Sequence, residues 1–305
     1  MRHVIIGGGI AGTTCAEELR KRDPNAEITL ISEEVHPVYS RVLLPHFIKG
    51  KVPRERVFLK KEEWYGQQNI DWQRGITAKR IDVRNKFVAT SEGREIEYDK
   101  LLIAAGGDVR TLDMEDRRGI SYFRTIDDAD HMLQLLRETP AGTRCGIWGG
   151  GFIACEYLNI FAQFGMPTTL AIRSPWFWSN VFDEESGTLL NELLRSKGVE
   201  VQTGAAKPPE GAILGVGIGI RPNLDIVKEA GIEVGAGVKA NEFLETNVSD
   251  VYTAGDIAEF FDPIVERQMV NGNWLNAMQQ GRTVAATMVG EKTAFKLVTS
   301  YATNA

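Results

Sequence analysis

Cysteine is scarce in this chain. Cys15, Cys145 and Cys155 are the only three in 305 residues. They form no CxxC pair and no disulfide framework, which points to a reducing, cytoplasmic setting. Long apolar runs are missing too: none approaches the ~18–20 residues of a membrane span. The N-terminus reads "MRHVIIGGGIAG" and turns Gly-rich where the apolar region of a signal peptide would continue. A basic excess is also absent. The net charge is −6, so nucleic acid is not an expected partner. No segment is of low complexity or reads as a flexible linker. With 43% hydrophobic and 25% charged residues, the chain fits a soluble globular protein of one to three domains.

The residues that are present repeat in outline. "HVIIGGGIAGTTCAEEL" begins at residue 3, and "RCGIWGGGFIACEYL" begins at residue 144. Each reads as a short apolar strand, a Gly-rich turn and a helix. Each is followed by a second apolar strand, "EITLIS" (27–32) and "TTLAI" (168–172). Two such βαβ units imply two nucleotide sites or a duplicated fold. Between and after them, "EGREIEYDKLLIAAGG" (92–107) reads as strand, turn and buried strand. "TIDDADHMLQLLRE" (125–138) and "DEESGTLLNELLRSKG" (183–198) read as amphipathic helices, the second stopped by Gly198. "GAILGVGIGIRPN" (211–223) reads as a buried strand and turn, and "VSDVYTAGDIAEF" (248–260) as strand, turn and short helix. "NWLNAMQQGRTVAATMVG" (273–290) reads as a final helix.

Gly7-x-Gly9-x-x-Gly12 follows a strand and opens a helix. In such a motif the first glycine permits the tight turn and the second lets the backbone approach a pyrophosphate. The third lets helix and strand pack closely. The helix N-terminus offers free N–H groups and a positive dipole end to phosphate. The next strand ends at Glu33, near the place ~20 residues on where a ribose-binding acid belongs.

These features resemble the two-dinucleotide-fold flavoprotein reductases, the pyridine nucleotide–disulfide oxidoreductase superfamily. "LLIAAGG" is similar to the family's ATG motif, with Ala104 where Thr is usual. "VYTAGDIAEF" resembles its second FAD fingerprint, whose Asp, here Asp256, binds the flavin ribityl chain. "GIGIRPN" resembles the return to the FAD domain, and "NWLNAMQQG" the segment over the flavin, with Trp274 and Ala277 near the ring. The resemblance implies an α/β fold of two Rossmann-like, glutathione-reductase-like dinucleotide-binding domains. It implies FAD contacts from Gly7, Gly9, Ile10, Ala11, Gly12, Glu33, Glu34, Arg41, Ala78, Ala105, Gly106, Gly255, Asp256, Trp274 and Ala277. Asp256 also reads as a helix cap.

The segment after Glu33 sets the branch. Relatives with a redox cysteine carry it in this region, but "HPVYSRVLLPHFIKGK" has none. "YSRVLLPHFIKG" instead resembles the rubredoxin, ferredoxin and nitrite reductase-like branch, with Arg41 beside the FAD. A Lys of that branch stands at the place of His46 and pairs with a Glu in the second glycine motif, here Glu156. A His46–Glu156 pair would titrate near neutrality; the other reading of His46 is a solvated loop residue. Cys15 and Cys155 sit where small residues pack against a sheet.

Gly149-x-Gly151-x-x-Ala154 opens "FIACEYLNIF", and the resemblance assigns Gly149, Gly151, Phe152 and Ile153 to NAD(P)H. Glu156 is placed near the nicotinamide and flavin; its plainer reading is an exposed acid at a helix N-terminus. NADH-using relatives have Glu where Ile172 stands. The absence of that acid, together with Arg173, favours a 2′-phosphate and so NADPH over NADH; the other reading of Arg173 is a surface residue. A second Arg of NADPH-dependent relatives is missing, with Ser179 in its place.

After "GVEVQTG" (198–204), "AAKPPE" leads directly to the returning strand, so the family's strand meander is absent and the NAD(P) domain is reduced. Trp176–Phe177–Trp178 reads as a cover for the exposed surface or as a partner contact. Relatives also continue past a residue like Tyr301 into a third, interface domain that is not expected here. The expected division is an FAD-binding domain in two segments, 1–112 and 222–305, around an NAD(P) domain, 113–221. The expected function is transfer of electrons from NADPH or NADH through FAD to a carrier protein. A small acidic iron–sulfur carrier such as rubredoxin or ferredoxin would suit the basic residues of 49–61, namely Lys49, Lys51, Arg54, Arg56, Lys60 and Lys61. The alternatives are a relay subunit of a larger redox complex and an oxidase that uses oxygen.

Overall fold

A computed structural model describes residues 1–114, 118–262 and 264–297. The chain divides into two compact units, one of Met1–Ser40, Phe58–Asp108 and Arg221–Ser300, the other including Arg41–Val57 and Val109–Ile220. Tyr301 and the chain end lie outside the described residues.

The first unit opens with strand β1 (Arg2–Ile6), helix α1 (Ile10–Arg22) and strand β2 (Glu27–Ser32). Strands β3 (Ile70–Arg74) and β4 (Lys100–Ile103) come next. The second unit contributes β5 (Ile120–Ser121), α2 (Ile126–Glu138), β6 (Cys145–Trp148), α3 (Phe152–Gln163) and β7 (Thr168–Ala171). It continues with α4 (Glu184–Ser196), β8 (Glu200–Gln202) and β9 (Leu214–Val216). The chain then returns to the first unit with β10 (Val251–Thr253) and α5 (Trp274–Met288).

Each unit holds a five-stranded sheet. The orders are β10-β4-β1-β2-β3 and β8-β7-β6-β9-β5. All pairings in both are parallel. β1 and β6 are buried almost throughout, as parallel strands covered on both faces must be. In each sheet the strand order reverses beside the strand that feeds a glycine turn. In such α/β sheets this is where ligands bind, outside the carboxyl ends.

Local chemistry explains the helix limits. Thr125 and Asp128 form a reciprocal capping box at the start of α2, and Asp183 caps α4 by accepting from Ser186. Asn273 caps α5. One expectation fails: the segment after Asp256 is not a helix. Ala258–Asp262 is a strand, paired antiparallel with Arg267–Val270. Its Ala-Glu-Phe-Phe-Asp run alternates buried with more exposed positions, a period of two that a helix cannot bury. Asp256 therefore caps no helix.

No strand lies between β8 and β9, in line with the missing meander. The sheet face there is filled from within. Trp148, 1% exposed at the end of β6, packs with Ile120, Ala171, Leu214 and Val216 under Leu112 and Ala205. The Trp176–Phe177–Trp178 run does something else. Phe177 and Trp178 are buried and lie against the second glycine turn.

Candidate functional site

In the first unit the turns past the carboxyl ends of β1, β2, β4 and β10 carry Gly7, Gly9, Glu33, Glu34, Ala105, Gly106, Gly255 and Asp256. The three glycines take three different tasks. Gly7 has φ +115°, and a methyl there would sit 2.2 Å from the Ala104 carbonyl oxygen at the end of β4. A methyl on Gly12 would sit 2.0 Å from the Gly7 oxygen and 3.0 Å from the Ile5 side chain. Both glycines are needed for close packing. At Gly9, the N-cap of α1, nothing lies within 4 Å of the same position. The open space is therefore at the residue over which a pyrophosphate is expected to pass. α1 has no acid in its first turn, so its N–H groups and dipole remain available to an anion.

Around this turn, Ile10 packs on the core and Ala11 is buried. Gly255, at φ +83°, approaches the methyls of Ala11 and Ala277, with Asp256 next to it. Gly281 fits α5 against α1: a methyl there would lie 2.3 Å from the Ala11 oxygen. Gln280 is fully buried. Its Oε1 accepts from the Gly255 N–H at 2.7 Å, while its Nε2 has no partner. Buried donors are normally satisfied, so this Nε2 is an exception within the packing of α5 against the Gly255 turn. Sequence reasoning passed over Gln280, although it stands in "AMQQG" near the end of the family resemblance.

Glu33 is exposed just past β2, where a ribose is expected. Glu34 is tied down, its carboxylate accepting from Tyr39 and its carbonyl from Ser32. The Ile76 N–H donates to the Ser32 oxygen at 3.0 Å, which draws the approach to Ala78 alongside β2. Ala105 is exposed and Gly106 turns at φ +67°, just past β4. Trp274 opens α5 half-buried. These residues form a cradle whose chemistry fits the phosphates of a dinucleotide: open at Gly9 and anion-favouring at α1.

Arg41 belongs to the second unit, where its guanidinium donates to the Arg124 carbonyl. His46 lies on the short helix Leu44–Ile48. The ion pair to Glu156 is made by Lys49, at 3.9 Å, one helical turn beyond His46. Burial raises the Glu156 carboxyl above the ordinary range, with the charges of Lys49 and His46 pulling against it. The i, i+3 spacing from His46 was the signal that could have pointed to Lys49.

The second glycine turn is built like the first in two respects. Gly149 has φ +137° and would meet the Gly217 oxygen at 2.1 Å. Ala154 is fully buried, and Ile153 packs on Gly217. It differs at Gly151, which faces the Trp178 Nε1 at 3.8 Å. Phe152, 40% exposed, meets the Trp178 ring edge-on at 4.8 Å. Ile172 is 1% exposed and packs beneath Gly150, so an acid there would be inside the core. Arg173 is exposed and its guanidinium lies 5.3 Å over the Trp148 ring. The loop after β8 closes on the same strand end: Ala205 N–H donates to the Ile172 oxygen at 2.9 Å and Gly204 N–H to the Ser174 oxygen at 3.1 Å.

The cysteines are buried and free. Burial raises all three thiols, that of Cys155 to about 12. Thiolates are the reactive form, so no dithiol exchange is built here.

A family model of the pyridine nucleotide–disulphide oxidoreductases matches residues 1–207 and 210–281. The chain belongs to this family. Among its relatives within the family is the assimilatory nitrate reductase electron transfer subunit of Bacillus subtilis, 27% identical over 95% of this chain. The NADH–rubredoxin oxidoreductase of Clostridium acetobutylicum is 28% identical over 96% of the chain and 76% of its own length. The crystal structure of the covalent putidaredoxin reductase–putidaredoxin complex superposes with TM-score 0.89 and 25% identity, covering 95% of this chain and 76% of the other. The chain spans only 39% of the Bacillus electron transfer subunit and 38% of the Bacillus nitrite reductase it also matches. No described helix is long and apolar enough to cross a membrane.

Proposed function

We propose that the chain is an FAD-dependent NAD(P)H oxidoreductase of the cytoplasm that hands electrons to a small iron–sulfur carrier protein. The observation that carries this reading is the open space at Gly9, on an α1 N-terminus free of acids. FAD held there supplies the exchange between two-electron hydride chemistry and one-electron carriers. The chain's own residues do the rest. Gly9 and the first turn of α1 hold the pyrophosphate, Glu33 the adenosine ribose and Asp256 the ribityl chain, while Gln280 fixes the Gly255 turn through its Oε1. Glu156, paired with Lys49, orients the nicotinamide in a second nucleotide site around Gly149–Ile153. Buried thiols leave no disulfide relay within the chain.

Of the basic residues in 49–61, three are already engaged: Lys49 with Glu156, Arg54 with Asp130 and Lys60 with Glu17. Lys51, Arg56 and Lys61 are exposed and left to attract an acidic carrier. The test is anaerobic addition of NADH and NADPH to the flavin-loaded protein. Loss of flavin colour with either, restored by oxidised ferredoxin or rubredoxin, is expected. Retention of colour with both overturns the enzyme.

A relay subunit of a larger redox complex is the second reading. It is favoured by the apolar Ile172 beneath the second glycine turn and by relatives more than twice as long as this chain. Oxygen as acceptor is a third; an NADH oxidase of Methanocaldococcus jannaschii is 25% identical. Peroxide formed without any carrier would favour it.

A further inference from the structure

The two glycine turns differ in what faces their middle glycine. Nothing lies near Gly9, but the indole of Trp178 lies over Gly151. The atom nearest Gly151 is Nε1, at 3.8 Å from where a methyl would be. That is ordinary van der Waals distance, so the ring touches the turn without filling it. Trp178 is 8% exposed, yet its Nε1–H has no hydrogen-bond partner among the described residues.

The placement is heavily determined. Trp178 sits at φ +58°, a conformation that L residues adopt at a cost. Its backbone N–H donates to the Gly150 oxygen at 3.1 Å. Its ring packs against Phe152 at 4.8 Å, Phe177 at 5.7 Å and Phe182 at 5.8 Å. The neighbouring indole, Trp176, has satisfied its own N–H on the Phe182 oxygen. A rigid, unpaired donor is thus held at the N-terminus of α3, a helix with no acid in its first turn. The indole Nε1 lies beside Gly151, the N-cap of α3, and both the helix end and the N–H prefer an anion.

We infer that the Trp178 indole N–H is a phosphate-binding donor of the second site, gripping the pyrophosphate of the nicotinamide nucleotide alongside the α3 N-terminus. This rests on the reading of the second unit as a nucleotide site. It gives that site a donor on the side where Ile172 offers none. The grip serves NADH and NADPH alike, because both carry the pyrophosphate.

The test uses Trp178→Phe, which keeps a ring among Phe152, Phe177 and Phe182 and removes only the donor. A hydrogen bond to a charged group corresponds to about tenfold or more in affinity. NADH, NADPH and ADP-ribose should each bind the flavin-loaded variant about tenfold more weakly. In the wild type, ADP-ribose should shift the indole ¹⁵N–¹H resonance of Trp178, a readout that does not depend on the variant folding. Equal or tighter binding by the variant, or an unmoved resonance while ADP-ribose binds, overturns the donor role; tighter binding would make the indole an obstruction. Failure of the wild type to bind any of the three nucleotides instead overturns the reading of the second unit itself.

Discussion

Gly9 and Gly12 lie three residues apart in one turn, and a methyl added to each should fail in opposite ways. On Gly12 it would lie 2.0 Å from a backbone oxygen, an atom that cannot rotate aside. Overpacking a core with flexible neighbours costs about 1–3 kcal/mol, and a clash with backbone should exceed that. Gly12→Ala is therefore expected to lower stability with or without cofactor. Gly9 stands at φ −71° and ψ −172°, which alanine adopts freely, and its methyl meets nothing within 4 Å. Restricting the unfolded chain should then stabilise the flavin-free protein by about 0.4–1 kcal/mol. The same methyl would occupy the space proposed for the pyrophosphate. Gly9→Ala should retain little flavin, its affinity falling by about tenfold or more as hydrogen bonds to the α1 N-terminus lengthen. The assays are chemical denaturation of flavin-stripped protein and the flavin-to-protein absorbance ratio after reconstitution. A Gly9→Ala protein that holds FAD as the wild type does would refute the cradle. One that unfolds more easily when stripped would refute the geometry of the turn.

Further outcomes are expected elsewhere. His3 is 1% exposed with both ring nitrogens unpartnered, and burial pushes its pKa down to about 4. The unfolded chain then binds the extra proton first, so stability should fall as pH drops from about 6.5 towards 4, by about 3 kcal/mol in full. His3→Leu should remove that part of the slope in urea melts, and an unchanged slope would sink the account. Lys49→Met should raise the already elevated pKa of Glu156 further, because the opposing ammonium at 3.9 Å is gone; carboxyl NMR titration reads it, and no change would mean the ion pair is idle. Ile172→Glu should destabilise the protein by on the order of several kcal/mol rather than select for NADH, because the new carboxylate would be buried beneath Gly150. Urea melts read the loss, and a stable variant that prefers NADH would overturn it. Arg173→Met, at an exposed position, should cost no more than about 1 kcal/mol and raise the KM for NADPH relative to NADH.

The fold was legible because its signals are local. Glycine turns between apolar strands and helices, and the caps Thr125, Asp183 and Asn273, mark their elements within a few residues. The segment after Asp256 was misread because "DIAEFF" is too short to separate a helix from a strand by period. Its partner, Arg267–Val270, decides the matter from outside. At the site, residues on the turns themselves could be named in advance. Gln280 turned towards Gly255 and Trp178 over Gly151 could not, and Lys49 in place of His46 was marked only by its i, i+3 spacing. Each depends on which of several neighbouring side chains reaches a distant element. Ile172 and Arg173 stand just past the end of β7, where Ile172 is buried and Arg173 reaches the Trp148 ring.

β10 completes the first sheet by pairing with β4, and Thr253 hydrogen-bonds to Ile103 across 150 residues of chain. Contacts at that separation form late, because the intervening loop must close first. During synthesis Gly7, Gly9 and Gly12 emerge more than 240 residues before Gly255 and Asp256. The nascent chain therefore carries half a cradle for most of its translation. Meanwhile β5 to β9, continuous in sequence, can pair without waiting for the rest. Capture of a cofactor by this cradle would then wait until β10 has been made. A ribosome that stalls before β10 releases a product with one assembled sheet and one left open at the β4 edge.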